Sequence, residues 1–432
     1  MKILILSLST ILFSYNLEIQ PSAYIEYFSN GGEFIEENRS VIFLGWSINT
    51  KYKKDHFFIE TSFSAHGING YSPQNDDLVQ RQGIPYLVNY MDNYQDLGIY
   101  WTSLVNVSYQ KEKILFEIGN PSRNWGTGLN SIFISNKAPN YPSFGIKWDI
   151  TPNIYFSYFY AFLNQSNNLI DEIRIYSYKS MASHSVNYQF TDKLLISLYE
   201  TVIFDRNLDI NYLNPFIFYY PLSRYMGYND NNQIGIEFNY LLEKNKKFYF
   251  SLMIDEWDPD LTFEKYHENW FAYQIGAQLK NVIFNTDLID FEYSWTDYRV
   301  YENQHETVNF YLEGYPLGYW AGSHARTYLL NYKLLLSKFN IVMSYLDVKK
   351  GISPDNLINI AYNKIEFDRY SLGYEQKKIF SIGANYNIRK KIDLGLKLNY
   401  LEWTTISLDS SNLLNRFYFV LNIKYQIQNF YL

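Results

Sequence analysis

The stretch Ile392-Asp393-Leu394-Gly395-Leu396-Lys397-Leu398-Asn399-Tyr400 alternates apolar and polar residues with a period of two. Successive side chains of an extended strand point to opposite faces, so the leucines share one face and the polar residues share the other. The same alternation recurs at 380–388, 234–240 and 417–427. No window of comparable length shows the 3.6-residue period of a helix. These patterns predict an all-β chain.

The alternation continues along the chain and predicts about eighteen strands. They are predicted at 22–28, 39–49, 55–64, 96–109, 112–119, 143–150, 153–163, 181–190, 193–204, 232–242, 247–255, 270–281, 287–299, 325–335, 338–347, 377–388, 393–403 and 414–428. Many of them approach the ten or so residues that a tilted strand needs to cross a bilayer.

The links between the predicted strands alternate in length. Short links such as 50–54 follow even-numbered strands, and long links such as 120–142 and 404–413 follow odd-numbered ones. Outer-membrane barrels have short periplasmic turns and long external loops, with an even strand count. The pattern predicts a closed antiparallel transmembrane β-barrel in the bacterial outer membrane. The alternative is a soluble all-β protein, such as a propeller or a jelly roll.

The composition and the ends of the chain agree with this prediction. Residues 1–14, with Lys2 before an apolar run, are predicted to be a signal peptide, and residues 15–432 to form the barrel. The 44 tyrosines suit a membrane boundary, and the absence of cysteine excludes disulfides. A formal net charge of −7 without a basic patch argues against nucleic acid as a partner. The expected partners are outer-membrane lipid and the barrel-insertion machinery.

The segment 119–142 is the most unusual one, because Gly and Pro residues define its backbone path between polar and aromatic side chains. Sugar C–H faces pack on aromatic rings and sugar hydroxyls need hydrogen-bond partners. The segment offers both, and its two cations would suit acidic sugars. The predicted polysaccharide-binding residues are Arg123, Trp125, Asn136, Lys137 and Tyr141. The alternative is a loop folded against the barrel wall with Trp125 as its packing anchor.

This segment resembles the signature of the Wzi capsule-assembly family, through Trp125-Gly126 and the stretch from Ser131 to Pro139. Three further segments resemble that family in the same order along the chain. They are Leu213-Asn214-Pro215 with Asn231-Asn232-Gln233 and Gly235, the pair Asp255-Glu256, and Pro316-Leu317-Gly318-Tyr319-Trp320-Ala321-Gly322.

The resemblance implies a barrel of similar strand number that acts as a lectin and helps to attach or organise capsular polysaccharide at the cell surface. It implies surface polysaccharide as a partner and no enzymatic activity. This chain departs from the family pattern at two points. Tyr319 replaces an expected histidine, and no helical segment is recognised beside the barrel.

The sequence leaves two other function classes open. A diffusion channel is the alternative function, because predicted inward residues such as Lys397 and Asn399 are polar. A rim enzyme is disfavoured, because the six histidines form no ligand or catalytic motif, although His267 lies near Asp255 in sequence. The acidic run 255–260 could hold a divalent cation, but a solvated loop is favoured. No catalytic residue, metal or cofactor is predicted.

Overall fold

The computed structural model describes residues 17–72, 78–79, 89–91, 94–170, 173–227, 230–257, 260, 269–354, 368–388, 391–427 and 429–431. The predicted signal peptide, residues 1–14, lies outside this part of the chain. Among the described residues, no helix is long and apolar enough to cross a membrane.

Eighteen antiparallel strands in the described ranges form one closed barrel, as the sequence predicted. They are β1 Leu17–Phe28, β2 Val41–Lys54, β3 Phe57–Asn69, β4 Tyr94–Lys111, β5 Ile114–Gly119, β6 Ser143–Thr151, β7 Ile154–Phe162, β8 Ser180–Thr191, β9 Leu194–Phe204, β10 Asn231–Glu243, β11 Lys246–Glu256, β12 Trp270–Lys280, β13 Asp287–Thr296, β14 Ala325–Leu335, β15 Phe339–Gly351, β16 Gly373–Ile388, β17 Ile392–Ser407 and β18 Ser411–Gln426. Each strand pairs with its neighbours in sequence. The first strand closes the ring, because Ile25 lies opposite both Leu44 of β2 and Ile423 of β18.

The alternating faces point in opposite directions across the wall. On β17, the outward Leu396 and Leu398 are 50% and 56% exposed, whereas the inward Asn399 and Leu401 are buried. Similar large apolar side chains are exposed on most strands. An apolar outer face and a partly polar inner face are the arrangement that a barrel needs in lipid.

Eight of the nine links that were predicted to be long are long in the structure. The prediction of a long link at 404–413 is wrong. There, β17 and β18 extend to Ser407 and Ser411, so the link shrinks to residues 408–410. Thr404 pairs with Leu413, and Ile406 pairs with Ser411. The link Leu408-Asp409-Ser410 forms a tight hairpin, because three residues suffice to reverse the chain.

Short elements occupy several external loops. The link between β9 and β10 contains a 3₁₀ turn, Ile210–Leu213, and the helix α1, Tyr219–Met226. A second 3₁₀ turn spans Glu306–Val308. Small hairpins pair Gln165–Ile170 with Ile173–Ser177 and Tyr311–Leu312 with Tyr315–Pro316, and Asn89–Met91 and Phe430–Tyr431 are short strands beside the barrel. The sequence showed no sign of α1, because two turns are too short to display a helical period.

Candidate functional site

Residues 120–142, here called the lumen loop, leave the end of β5 and fold into the barrel. The backbone N–H of Thr127 donates to Glu237 Oε2 over 2.9 Å, and that of Leu129 donates to Glu292 Oε2 over 2.6 Å. The two carboxylates project inward from β10 and β13. The loop was expected on the external side, where its two ends lie next to the paired residues Gly119 and Ser143. It turns inward because the inner wall supplies acceptors for its backbone and because Ile132, buried completely, needs an apolar environment.

Three of the predicted binding residues meet around Phe159 of β7. The guanidinium of Arg123 donates to Glu117 Oε1 over 2.6 Å and lies 4.3 Å from the Phe159 ring centre. The Trp125 ring stands edge-on to Phe159 at 5.0 Å, and the Tyr141 ring lies 6.3 Å from it. Arg123 and Tyr141 are only 7% and 4% exposed, and burial raises the pKa of Tyr141 to about 12. These contacts agree with the alternative in which Trp125 anchors a packed loop.

The other two predicted residues lie apart from that cluster. Asn136 is exposed, and Lys137 is half-buried. Burial lowers the pKa of Lys137, and the nearby carboxylate of Glu33 opposes that shift. Their polysaccharide-binding role stays a prediction, as it does for Arg123, Trp125 and Tyr141.

A second inward loop, residues 297–324, packs on the lumen loop and is called the mouth loop here. The Tyr301 hydroxyl donates to the carbonyl of Ile132 over 2.6 Å, and the Ser135 N–H donates to the carbonyl of Leu317 over 2.7 Å. A Cβ on Gly318 would lie 2.7 Å from the Ile132 carbonyl oxygen, so this contact requires glycine. The segments 131–139 and 316–322, which share only a family resemblance in the sequence, are therefore in direct contact inside the barrel.

The mouth loop also borders a cavity of about 540 Å³ at the extracellular end. The cavity, called the mouth cavity here, presents the rings of Tyr311 and Trp320, the carboxylates of Glu302 and Glu375, and the Lys350 amine. Lys350 makes no ion pair with any residue that the structure describes. Burial raises the pKa of Glu302, although Lys350 lowers it in part. Aromatic faces beside charged and hydroxyl groups are what a sugar ring requires.

Only part of this cavity was predictable from the sequence. Trp320 lies in the segment 316–322, whose resemblance to the Wzi family provided a signal in the sequence. Glu302, Lys350 and Glu375 come from separate stretches of the chain with ordinary local patterns, and only barrel closure and the path of the mouth loop bring them together.

The described residues give little support to a catalytic site or a metal site. No group of three or more His, Asp or Glu side chains in those ranges could hold a metal ion. Asp255 accepts the N–H of Tyr301 over 2.7 Å and so helps to hold the mouth loop. His267, and Asp258 of the acidic run, lie outside the described residues.

The closed barrel, its apolar exterior and its loop asymmetry define the class of this protein as a bacterial outer-membrane β-barrel. Solved structures agree with that class. Wzi of Escherichia coli, described as an outer membrane protein involved in group 1 capsule assembly and as a carbohydrate-binding β-barrel, is 11% identical over 98% of this chain and 87% of that chain, with a TM-score of 0.58.

Two further structures are similar over nearly their whole length. OccAB2 of Acinetobacter baumannii is 13% identical over 97% of this chain and 99% of that chain, with a TM-score of 0.54. OpdK of Pseudomonas aeruginosa, solved with vanillate, is 9% identical over 96% of this chain and 99% of that chain, with a TM-score of 0.52. No family model and no curated protein matches the sequence. At these identities the likeness shows the fold alone.

Proposed function

We propose that this protein is a lectin-like outer-membrane barrel that binds surface polysaccharide at its extracellular end and assists the attachment or assembly of capsular or other exopolysaccharide. It carries out no enzymatic reaction. The observation that carries the proposal is the mouth cavity, where aromatic rings, two carboxylates and one amine line a space of about 540 Å³. Aromatic faces can pack on the C–H faces of a sugar ring, and the charged groups can hydrogen-bond its hydroxyls.

The path of the two inward loops supports a role at the mouth. The lumen loop and the mouth loop share one buried cluster, which includes Phe133, Leu317 and Tyr319 together with Phe159 and Tyr199 of the barrel wall. A packed cluster at this level leaves little room for a polymer to pass. A polysaccharide held at the mouth cavity would therefore stay on the cell surface. The similarity in fold to a barrel described as carbohydrate-binding is consistent with this role.

The second candidate function is a diffusion channel for small solutes. The inner wall carries charged side chains that water can reach, among them the half-exposed amine of Lys147 on β6 and the exposed carboxylate of Asp393 on β17. Opposite charges on different walls would orient a small polar solute. Planar-bilayer conductance separates the two candidates, because large steady channels would favour the diffusion channel and electrical silence would favour the lectin.

A glycan array that contains neutral and uronic-acid oligosaccharides tests the lectin proposal on the detergent-solubilised protein. We expect Lys350→Gln to weaken binding to the acidic members. Lys349→Gln is the matched control, because this neighbouring lysine lies against the Tyr370 and Tyr374 rings instead of lining the mouth cavity. Asn136→Ala and Lys137→Ala test whether the exposed part of the predicted site contributes.

The role in the cell needs a separate test. Deletion of the gene should release surface polysaccharide into the medium, and the wild-type gene should restore its attachment. The proposal fails if the deletion strain retains all of its polysaccharide and the purified protein binds no glycan on the array.

A further inference from the structure

Residues 205–227, here called the outer-wall segment, link β9 to β10 and pack against the outside of the barrel. The inward side chain of Phe159 touches the lumen loop, so its neighbours Tyr158 and Tyr160 point outward. Tyr158 donates its hydroxyl to the Tyr212 carbonyl over 2.9 Å. One buried cluster contains Tyr158, Tyr160 and Phe204 of the wall together with Tyr212 and Tyr219 of the segment. An external loop thus covers part of the surface that strands normally present to lipid.

The segment descends along most of the wall. The Phe216 ring lies 5.2 Å from that of Phe156 and 6.4 Å from that of Trp148. These two wall residues pair across β6 and β7 close to the periplasmic turn at 152–153. With about 3.3 Å per residue and a tilt near 40°, Phe156 lies roughly 15 Å below the extracellular end of β7. The helix α1 then returns the chain to β10.

Two side chains of the wall accept backbone N–H groups of the segment. The Tyr160 hydroxyl accepts the N–H of Asp209 over 2.9 Å, and Glu200 Oε1 accepts the N–H of Tyr220 over 2.9 Å. Within the segment, the Asn214 side chain accepts the N–H of Phe216 over 3.1 Å. Irregular backbone at membrane depth is tolerated only when its polar groups have protein partners. Water could satisfy these N–H groups in an exposed loop, whereas in lipid the protein must supply the acceptors, as it does here for Asp209, Phe216 and Tyr220.

Between residues 210 and 218 the outer side of the segment is mainly apolar, with Asn214 as the exposed polar residue. Ile210, Phe216 and Phe218 are 79%, 62% and 71% exposed. Apolar wall residues nearby are also exposed to the membrane, such as Ile118 at 62% and Leu198 at 51%. The exposed face of the segment is therefore continuous with the lipid-facing surface of the barrel.

We propose that the outer-wall segment is embedded in the outer membrane and that lipid acyl chains cover Ile210, Phe216 and Phe218. Phe216 is the deepest of the three. Tyr225 lies beyond the middle of α1, on the return towards the extracellular end, and contacts the headgroup region. The segment thereby widens the barrel surface that binds lipid, independently of what the mouth cavity binds.

The absence of cysteine makes a direct test possible, because any introduced cysteine is the only labelling site. Nitroxide labels are placed at Ile210→Cys, Phe216→Cys and Tyr225→Cys in protein reconstituted into phospholipid vesicles. Collision rates with oxygen, which concentrates in lipid, and with a water-soluble nickel chelate are then compared by electron paramagnetic resonance. Leu198→Cys on the wall is the lipid control. Asp409→Cys at the tip of the last hairpin is the water control.

We expect the oxygen-to-nickel ratio at Phe216→Cys to match that at Leu198→Cys, with an intermediate ratio at Tyr225→Cys and a several-fold lower one at Asp409→Cys. A ratio at both Ile210→Cys and Phe216→Cys equal to that at Asp409→Cys would overturn the proposal. Spectral broadening that disappears on dilution with unlabelled protein would show that a second copy, instead of lipid, covers the segment. Heat-modifiable gel migration confirms that each variant is folded. If Phe216→Cys does not fold, Ile210→Cys tests the same segment at a second position.

Discussion

Replacement of Arg123 tests whether this side chain of the lumen loop serves packing or ligand binding. Arg123 and Glu117 form a buried ion pair of 2.6 Å, with side chains 5% and 4% exposed. Removal of one partner of such a pair destabilises a fold by about 3–5 kcal/mol. Lys147, half-exposed and 3.2 Å from Glu117, stays as a second partner. We therefore expect Arg123→Met to lower the free energy of unfolding by about 3 kcal/mol, near the lower end of that range.

Urea unfolding in phospholipid vesicles, followed by tryptophan fluorescence, measures this loss. The double variant Arg123→Met/Glu117→Gln is the matched control, because it removes both charges together. It should regain about 1–2 kcal/mol relative to the sum of the two single variants, the coupling expected for residues in direct contact. If Arg123→Met unfolds like the wild type but loses glycan binding on the array, the packing explanation is refuted and Arg123 contacts the ligand.

Three further outcomes are expected. Glu292→Ala removes the acceptor of the Leu129 N–H and should release the lumen loop, which planar-bilayer recordings would detect as increased conductance. Gly318→Ala forces a Cβ against the Ile132 carbonyl and should make the mouth loop sensitive to added protease, whereas an unchanged digestion pattern would contradict the close contact. Burial lowers the pKa of Lys179 from 10.5 to about 7. Because the unfolded chain binds more protons between these values, stability should rise as the pH increases from about 7 to 10.5, and Lys179→Met should flatten that slope in urea titrations.

The strand count and the alternation of faces were predictable from sequence, because both depend on local patterns. Ile392 to Tyr400 already separate a lipid face from a lumen face, and the register follows once one face must be apolar. The hairpin at 408–410 was not predictable. Asp409 and Ser410 suit a tight turn as well as a long loop, and the pairing of two long strands decides between them.

The candidate site followed from sequence only in part. Trp320 was visible in a distinctive segment, but Lys350 and Glu375 carry no local signal. The inward path of the lumen loop depends on Glu237 and Glu292, which lie more than a hundred residues further along the chain. The outer-wall segment depends in the same way on Tyr160 and Glu200 as acceptors of its backbone.

The sequence by itself determined the barrel, its orientation and the alternation between lipid and lumen, since period-two patterning and link length act over a few residues. The tertiary structure decided which loops fold inward, which one covers the outside, and where charged and aromatic side chains meet. Those outcomes depend on hydrogen-bond acceptors and apolar surfaces supplied by distant strands, and these become neighbours only when the barrel closes.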